Sequence, residues 1–243
     1  MWGILYNTTS IVSFVALFVL GKVLPKSKYG EKILWVASLA VFIYKTVYYI
    51  LQNVKGVFSI PVEISSISYF LMTVIFVFRI KKLHIVGAFF GIMSGLGYFL
   101  FYSVAGFTVI NAIVVKDFLI GCVMHGYLLV FGMYLFQTNK FHYSETNKIW
   151  ITIFVMLCWS LVFYDFEMRG LTFIYYVIKP QFLLLFENMG LNALLFVLYY
   201  TLIIIMFFFI LKVFIKINQN EKKKVVAFHK DVQYRENFEK VDG

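Results

Sequence analysis

The sequence predicts an all-α, polytopic membrane protein with seven transmembrane helices. Three observations lead there. Hydrophobic residues make up 62% of the chain and charged residues only 14%, well short of the roughly 25% charged share of soluble domains. The apolar residues gather into runs long enough for a bilayer core of about 30 Å, which takes roughly 20 residues of helix to cross. The cations fall in the short gaps between those runs. A mean hydropathy of +0.85 agrees.

Taken in order, the runs lie near 4–24, 33–53, 57–79, 84–104, 117–137, 148–166 and 191–215. An eighth apolar stretch, LTFIYYVIKPQFLLLF at 171–186, is split by Lys179 and Pro180. Proline removes a helix donor and clashes with the preceding turn, so this piece is expected to lie at the interface or to re-enter the bundle. Short loops make consecutive spans antiparallel neighbours. Gly87, Gly91 and Gly95, with Ser94 beside them, form a small-residue stripe on the fourth span, the kind of surface that lets another helix approach closely in lipid.

Orientation follows from the cations. Lys22, Lys26, Lys28 and Lys32 occupy the first loop, Arg79, Lys81 and Lys82 the third, and Lys140 and Lys148 the fifth; Lys212, Lys216 and Lys222 to Lys224 follow the last span. The other side carries Lys55, Lys116, Arg169 and Lys179. The positive-inside rule then puts the N-terminus outside and the C-terminus in the cytoplasm. Residues 1–218 are read as the transmembrane domain and 219–243 as a charged cytoplasmic tail. The N-terminal MWGILYNTTS has neither a basic region nor a small-residue cleavage pattern, so no removed signal peptide is expected. The abundance of Ile, Phe and Lys suits an AT-rich bacterial genome, so a multi-pass protein of a bacterial cell membrane is expected.

The net charge of +10 does not point to nucleic acid, because the lysines are dispersed over loops and tail and build no basic face. Cys122 and Cys158 lie in apolar runs with no disulfide framework or metal spacing, so neither a metal nor a cofactor is expected. The partners expected are membrane lipids, one of them as substrate; composition is silent on oligomeric state.

Polar residues at membrane depth are where function is sought, since a carboxylate at the centre of a span costs roughly 2.5–3.5 kcal/mol on insertion scales. Glu63 and Ser65 lie in the third span, Lys45 in the second and His125 in the fifth. At 1.5 Å per residue, Lys45 lies about 10 Å, Glu63 about 9 Å and His125 about 12 Å in from the outer end. Lys45 and Glu63 are expected to pair, either as a register-fixing ion pair or as the wall of a polar pocket. His125 shares a helical face with Gly121, Cys122 and Gly132, so it is expected to face another helix. Its near-neutral pKa range suits a general base.

The ordered segments IPVEISSISYFL, FFGIMSG, FLIGCVMHGYLLV and LTFIYYVIKPQFLLLFE, between about residues 58 and 205, resemble the YwaF-type bacterial integral membrane proteins. The animal relatives of that group are ether-phospholipid acyltransferases. The resemblance implies seven membrane helices and acyl transfer between lipids by an intramembrane cysteine and histidine. The histidine falls on His125, whereas the cysteine position falls on Ser65, with Glu63 two residues earlier. The proline-tryptophan pair near the start of the last span is also missing, where this chain reads ENMGLNALLF. A serine needs an adjacent base to become a nucleophile, so the implied site is Ser65 as nucleophile, His125 as base and Glu63 as its orienting carboxylate. Cys122 is a substitute nucleophile one turn from His125. The alternative is a non-catalytic bundle that binds or transports lipid or a small solute through Lys45, Glu63 and His125.

Overall fold

A computed structural model describes residues 2–56, 59–61, 64–105, 115–163, 198, 201–202 and 204–222. These are helical apart from short turns, with no strand among the described residues. The helices are α1 (Trp2–Val23), α2 (Gly30–Val54), α3 (Ile64–Val77), α4 (His84–Ala105), α5 (Val115–Thr138) and α6 (Thr146–Phe163). A last helical segment, α7, covers 204–222. Four stretches are long and apolar enough to cross a membrane: Leu5–Lys26, Gly30–Val54, Lys81–Val104 and Val115–Thr138. Ser65–Val77 is a shorter apolar helix. The interrupted stretch at 171–186 lies outside the described residues.

The turns follow local chemistry. Pro25, in a 3-10 turn over Leu24–Lys26, marks the end of α1. The chain then folds back so tightly that a side chain on Gly30 would run into the Leu24 carbonyl. Helix α3 ends with the Ile80 N–H on the Ile75 carbonyl (2.9 Å) and the Arg79 N–H on the Phe76 carbonyl (3.2 Å). This paired closure needs a left-handed residue, and Arg79 supplies it at φ 52°.

The centre of the bundle is the α4–α5 pair. Phe89, Phe90, Leu128, Leu129, Phe131 and Leu135 are buried there. The glycine stripe explains how close the two backbones come. A Cβ on Gly91 would lie 2.7 Å from the Leu128 carbonyl oxygen and 2.9 Å from the Gly132 Cα. One on Gly132 would lie 2.6 Å from the Ile92 nitrogen. Around this centre, α1, α2 and α6 leave Val12, Val15, Val19, Ile43, Ile50, Ile151 and Phe154 exposed. Apolar side chains pointing away from the protein on every peripheral helix are what a lipid-facing surface requires.

One end of the bundle gathers the loops that carry the cations. There α7 is tied to the α5–α6 turn through Asn218, which is fully buried. Its carboxamide accepts from the Phe141 N–H (2.8 Å) and donates to the carbonyls of Phe136 (2.7 Å) and Asn139 (3.1 Å). Gln219 donates to the Phe141 carbonyl and Lys222 to that of Gln137. Helix α7 thus continues, and stays bonded to the bundle, into the segment 219–243 read from sequence as tail.

Candidate functional site

His125 projects from α5 towards α4 and α3. Its Nδ1 lies 3.1 Å from the Ser94 carbonyl, and a carbonyl only accepts, so Nδ1 carries the proton of that bond. In the neutral ring this leaves Nε2 with its lone pair, and among the described residues no hydrogen bond reaches it. The Tyr98 ring of α4 stacks on the imidazole, 4.1 Å between centroids and 11° from parallel. Gly121, one turn earlier on α5, admits that tyrosine: a Cβ there would lie 2.7 Å from Tyr98 Cζ. The Tyr98 hydroxyl donates to the Phe118 carbonyl (2.9 Å), and its ring packs against the apolar cluster that includes Cys122.

On the other side of His125 stands Tyr69 of α3, its ring 6.1 Å away and steeply inclined at 68°. The Lys45 ammonium of α2 rests over the Tyr69 ring at 4.6 Å, and 5.6 Å from that of Tyr48. Such a cation–ring contact is worth about 0.5–1 kcal/mol in water and about 2 when desolvated. Lys45, Tyr69, His125 and Tyr98 therefore form a file of four side chains, one from each of α2, α3, α5 and α4. Below it, the Thr73 hydroxyl donates towards the carbonyls of Ser38 (3.0 Å) and Tyr69 (3.1 Å), and the hydroxyls of Ser38 and Tyr127 pair at 2.8 Å. These bonds tie α2, α3 and α5 together one turn from the file and fix its register.

The structure brings Lys45 and His125 against the same tyrosine, Tyr69. Glu63 lies outside the described residues. Ser65 is half-buried near the start of α3, one turn from Tyr69 on the same helical face. No hydrogen bond joins Ser65 to His125, which is held by Ser94 instead. Cys122 is buried beside Tyr98. No group of three His, Cys, Asp or Glu side chains that could hold a metal occurs among the described residues.

Tyr69 and Tyr98 were not singled out by sequence reasoning. The chain has 17 tyrosines and 29 phenylalanines, so aromatic type alone marks nothing. The usable signal was position: Tyr98 follows Ser94 by one turn, and Tyr69 follows Ser65 by one turn.

The site belongs to a helical bundle with membrane-compatible spans. No protein-family model matches the chain, and neither a curated protein nor a solved structure is found to match it.

Proposed function

We propose that this chain is a seven-helix multi-pass membrane protein, N-terminus outside, that binds a membrane amphiphile in the outer half of the bundle through Lys45 and His125. The observation carrying this reading is the four-residue file, with an ammonium at one end and an open imidazole nitrogen at its centre. A phosphate or carboxylate head would take a charge-assisted bond from Lys45, while an amphiphile's hydroxyl would donate to His125 Nε2. The further apolar runs near 57–79, 148–166 and 191–215 support seven spans. The cations gathered at the opposite end of the bundle support the orientation.

A second reading, phospholipid acyl transfer, is favoured by the same open Nε2 and by Ser65 sharing the Tyr69 face of α3. In it Ser65 Oγ attacks a donor ester carbonyl and His125 Nε2 takes the hydroxyl proton. The lysolipid oxygen leaves with that proton, and a second lysolipid then takes the acyl group from serine by the reverse steps. Binding ranks first because Ser65 and His125 are not bonded to each other, whereas Lys45 and His125 flank the same ring.

The test is native mass spectrometry of protein purified from phospholipid membranes, beside Lys45→Met, His125→Ala and Ser65→Ala forms, with a lysophospholipid acyl-transfer assay on each. Binding predicts lipid retention that falls about tenfold in Lys45→Met, the scale of one lost charged hydrogen bond, with Ser65→Ala unchanged. Product formation abolished in both Ser65→Ala and His125→Ala would establish acyl transfer. Equal retention by all four forms, with no product, would overturn both.

A further inference from the structure

Packing leaves two features of the bundle over. One is an apolar groove of about 770 Å³ beside α2, between Thr46, Ile50, Phe70 and Trp159. The Thr46 hydroxyl at its inner end has no hydrogen-bond partner among the described residues. The other is a corner at the cationic end, where the α1–α2 and α3–α4 turns meet. The Arg79 guanidinium and the Glu31 carboxylate lie 3.8 Å apart there, with 80% and 62% of their side chains exposed. The two residues are 48 positions apart in the chain, so the contact joins what the sequence keeps separate. Lys28 and Lys32 stand within three residues of Glu31, and Lys81 and Lys82 within three of Arg79. Lys22 and Lys26 follow along the end of α1, and all seven cations are exposed. Glu31 is the only carboxylate in residues 22–32 and 78–84.

Three observations set this corner apart from cations that only fix topology. First, Arg79 holds a left-handed backbone, φ 52°, where a helix closure of this kind ordinarily takes glycine. A residue with a Cβ is disfavoured there, and the fold gains little from the side chain, because an exposed pair at 3.8 Å contributes little. Second, cations elsewhere at this end are engaged by the protein. Lys148 pairs with Glu145 at 2.9 Å, Lys222 donates to the Gln137 carbonyl, and Lys212 rests over the Phe208 ring. Lys26, Lys32, Lys81 and Lys82 make no hydrogen bond or ion pair among the described residues. Third, apolar side chains stand beside the charges. Val23 next to Lys22 and Phe78 next to Arg79 are exposed, and the Lys22 and Lys28 ammoniums lie over the Phe18 and Tyr29 rings at 4.8 and 4.9 Å. Cationic and apolar groups side by side at the end of a membrane-length helix suit the head-group layer. A nucleic acid or a soluble acidic protein would leave the apolar ledge unmatched.

We infer that this corner binds an anionic phospholipid of the leaflet it faces: the phosphate lies between Arg79 and the lysines of the two turns, and an acyl chain lies against Phe78. A guanidinium offers a phosphate two parallel donors. At 3.8 Å Glu31 makes no close bond with that guanidinium, so a phosphate displaces little. Clusters of this size at the ends of spans attract anionic head groups. The inference rests on the membrane-spanning reading of the bundle and not on the Lys45–His125 site, since Lys45 lies about 20 Å along α2 from Lys32.

The full chain in nanodiscs of phosphatidylcholine with a minor share of phosphatidylglycerol, released into native mass spectrometry, tests this through the ratio of the two lipids it retains. Phosphatidylglycerol is expected above its share of the bilayer. Arg79→Gly removes the charge and suits the left-handed turn, so the melting midpoint should not fall. The enrichment should drop about fivefold, the scale of one charge at the head-group surface. Lys81→Gln with Lys82→Gln should lower it well below Lys212→Gln with Lys216→Gln, which removes the same charge from α7 at the same end. Equal losses from the two pairs, or enrichment untouched by Arg79→Gly, would rule the corner out as a site. Displacement of phosphatidylglycerol by inorganic phosphate at matched ionic strength would overturn it in favour of a free anion. Lys45→Met should leave the Arg79-dependent share in place, and loss of that share there would count against a separate site. A chain that enters the nanodiscs without enrichment sinks this inference alone; one that does not enter sinks the membrane reading with it.

Discussion

The α4–α5 seam and the α2–α3 seam are built from similar apolar sequence, yet they do opposite things with their exceptions. Between α4 and α5 the exceptions are glycines, and they bring two backbones into contact. Between α2 and α3 the exceptions are Lys45, Thr46, Tyr69 and Thr73, which leave a cation over a ring on one side and a groove on the other. Buried residues make up 56% and 61% of the most apolar stretches of α4 and α5, against 11% for α2. A seam without voids has little room for a ligand, because interiors pack at crystal density. A seam with open volume beside it is poorly explained by packing alone. The contrast assigns packing stability to α4–α5 and, under the proposed function, ligand binding to the α2–α3 side, with His125 in contact with both.

The largest expected effect breaks the dry seam. Gly91→Leu forces a side chain into the Leu128 carbonyl and the Gly132 backbone, and overpacking of this kind costs about 1–3 kcal/mol or more. Gly97 lies on the same helix with nothing within 4 Å of an added Cβ. Gly97→Leu should therefore melt in detergent within about 0.5 kcal/mol of the parent, the usual range for a surface change. If both variants lose stability equally, the seam is not what holds the bundle.

Next in size is the tie of α7. Asn218→Ala strands the Phe141 N–H and the carbonyls of Phe136 and Asn139, all in or beside a buried environment. Leaving such groups unpaired costs about 1–3 kcal/mol, so the thermal midpoint should fall while spans α1 to α5 keep their protease resistance. A smaller effect separates the binding side: Tyr69→Leu removes the ring between Lys45 and His125. Losing one cation–ring contact is worth about 1 kcal/mol, or about a fivefold drop in lipid retention. The dry seam offers no comparable handle on retention, and a folded Gly91→Leu form that retained lipid as poorly as Tyr69→Leu would undo the division.

What was legible in the sequence divides along the same line. Helical class, four membrane-length stretches and the small-residue contact could be read because each depends on local composition: run length, a four-residue glycine spacing, cations in gaps. The His125 orientation was readable from Gly121 and Gly132 on its own helix. Tyr98 and Tyr69 were not, because their role depends on which helix lies opposite, and that is decided by packing between residues 24 to 56 positions apart along the chain. The groove was hidden for the same reason. Thr46 looks like any helical threonine until the structure shows that its hydroxyl is not returned to its own helix. Asn218 carried a signal that passed unused, a carboxamide in the last apolar turn before the charged segment.

The smallest prediction concerns the cationic end, where titration rather than packing is the lever. Glu145, in the 3-10 turn Tyr143–Glu145 before α6, is partly buried, which alone pushes its carboxyl up. The Lys148 ammonium at 2.9 Å and the His142 N–H at 3.1 Å outweigh that burial and hold it below the ordinary carboxylate value. A depressed value means that the folded state favours the charged form, so the contribution is present above the unfolded pKa and is lost as pH falls through the folded one. About a third of the Lys148 side chain is exposed, and solvent screening keeps such pairs at about 0–1 kcal/mol. Glu145→Gln should therefore lower the melting midpoint slightly at pH 7, and the difference should vanish as pH falls through the depressed folded-state value and the parent carboxyl is itself protonated. A difference that persisted at low pH would mean that Glu145 acts by shape and not by charge. The α4–α5 variants should show no such convergence, because the glycine contact has no proton to lose.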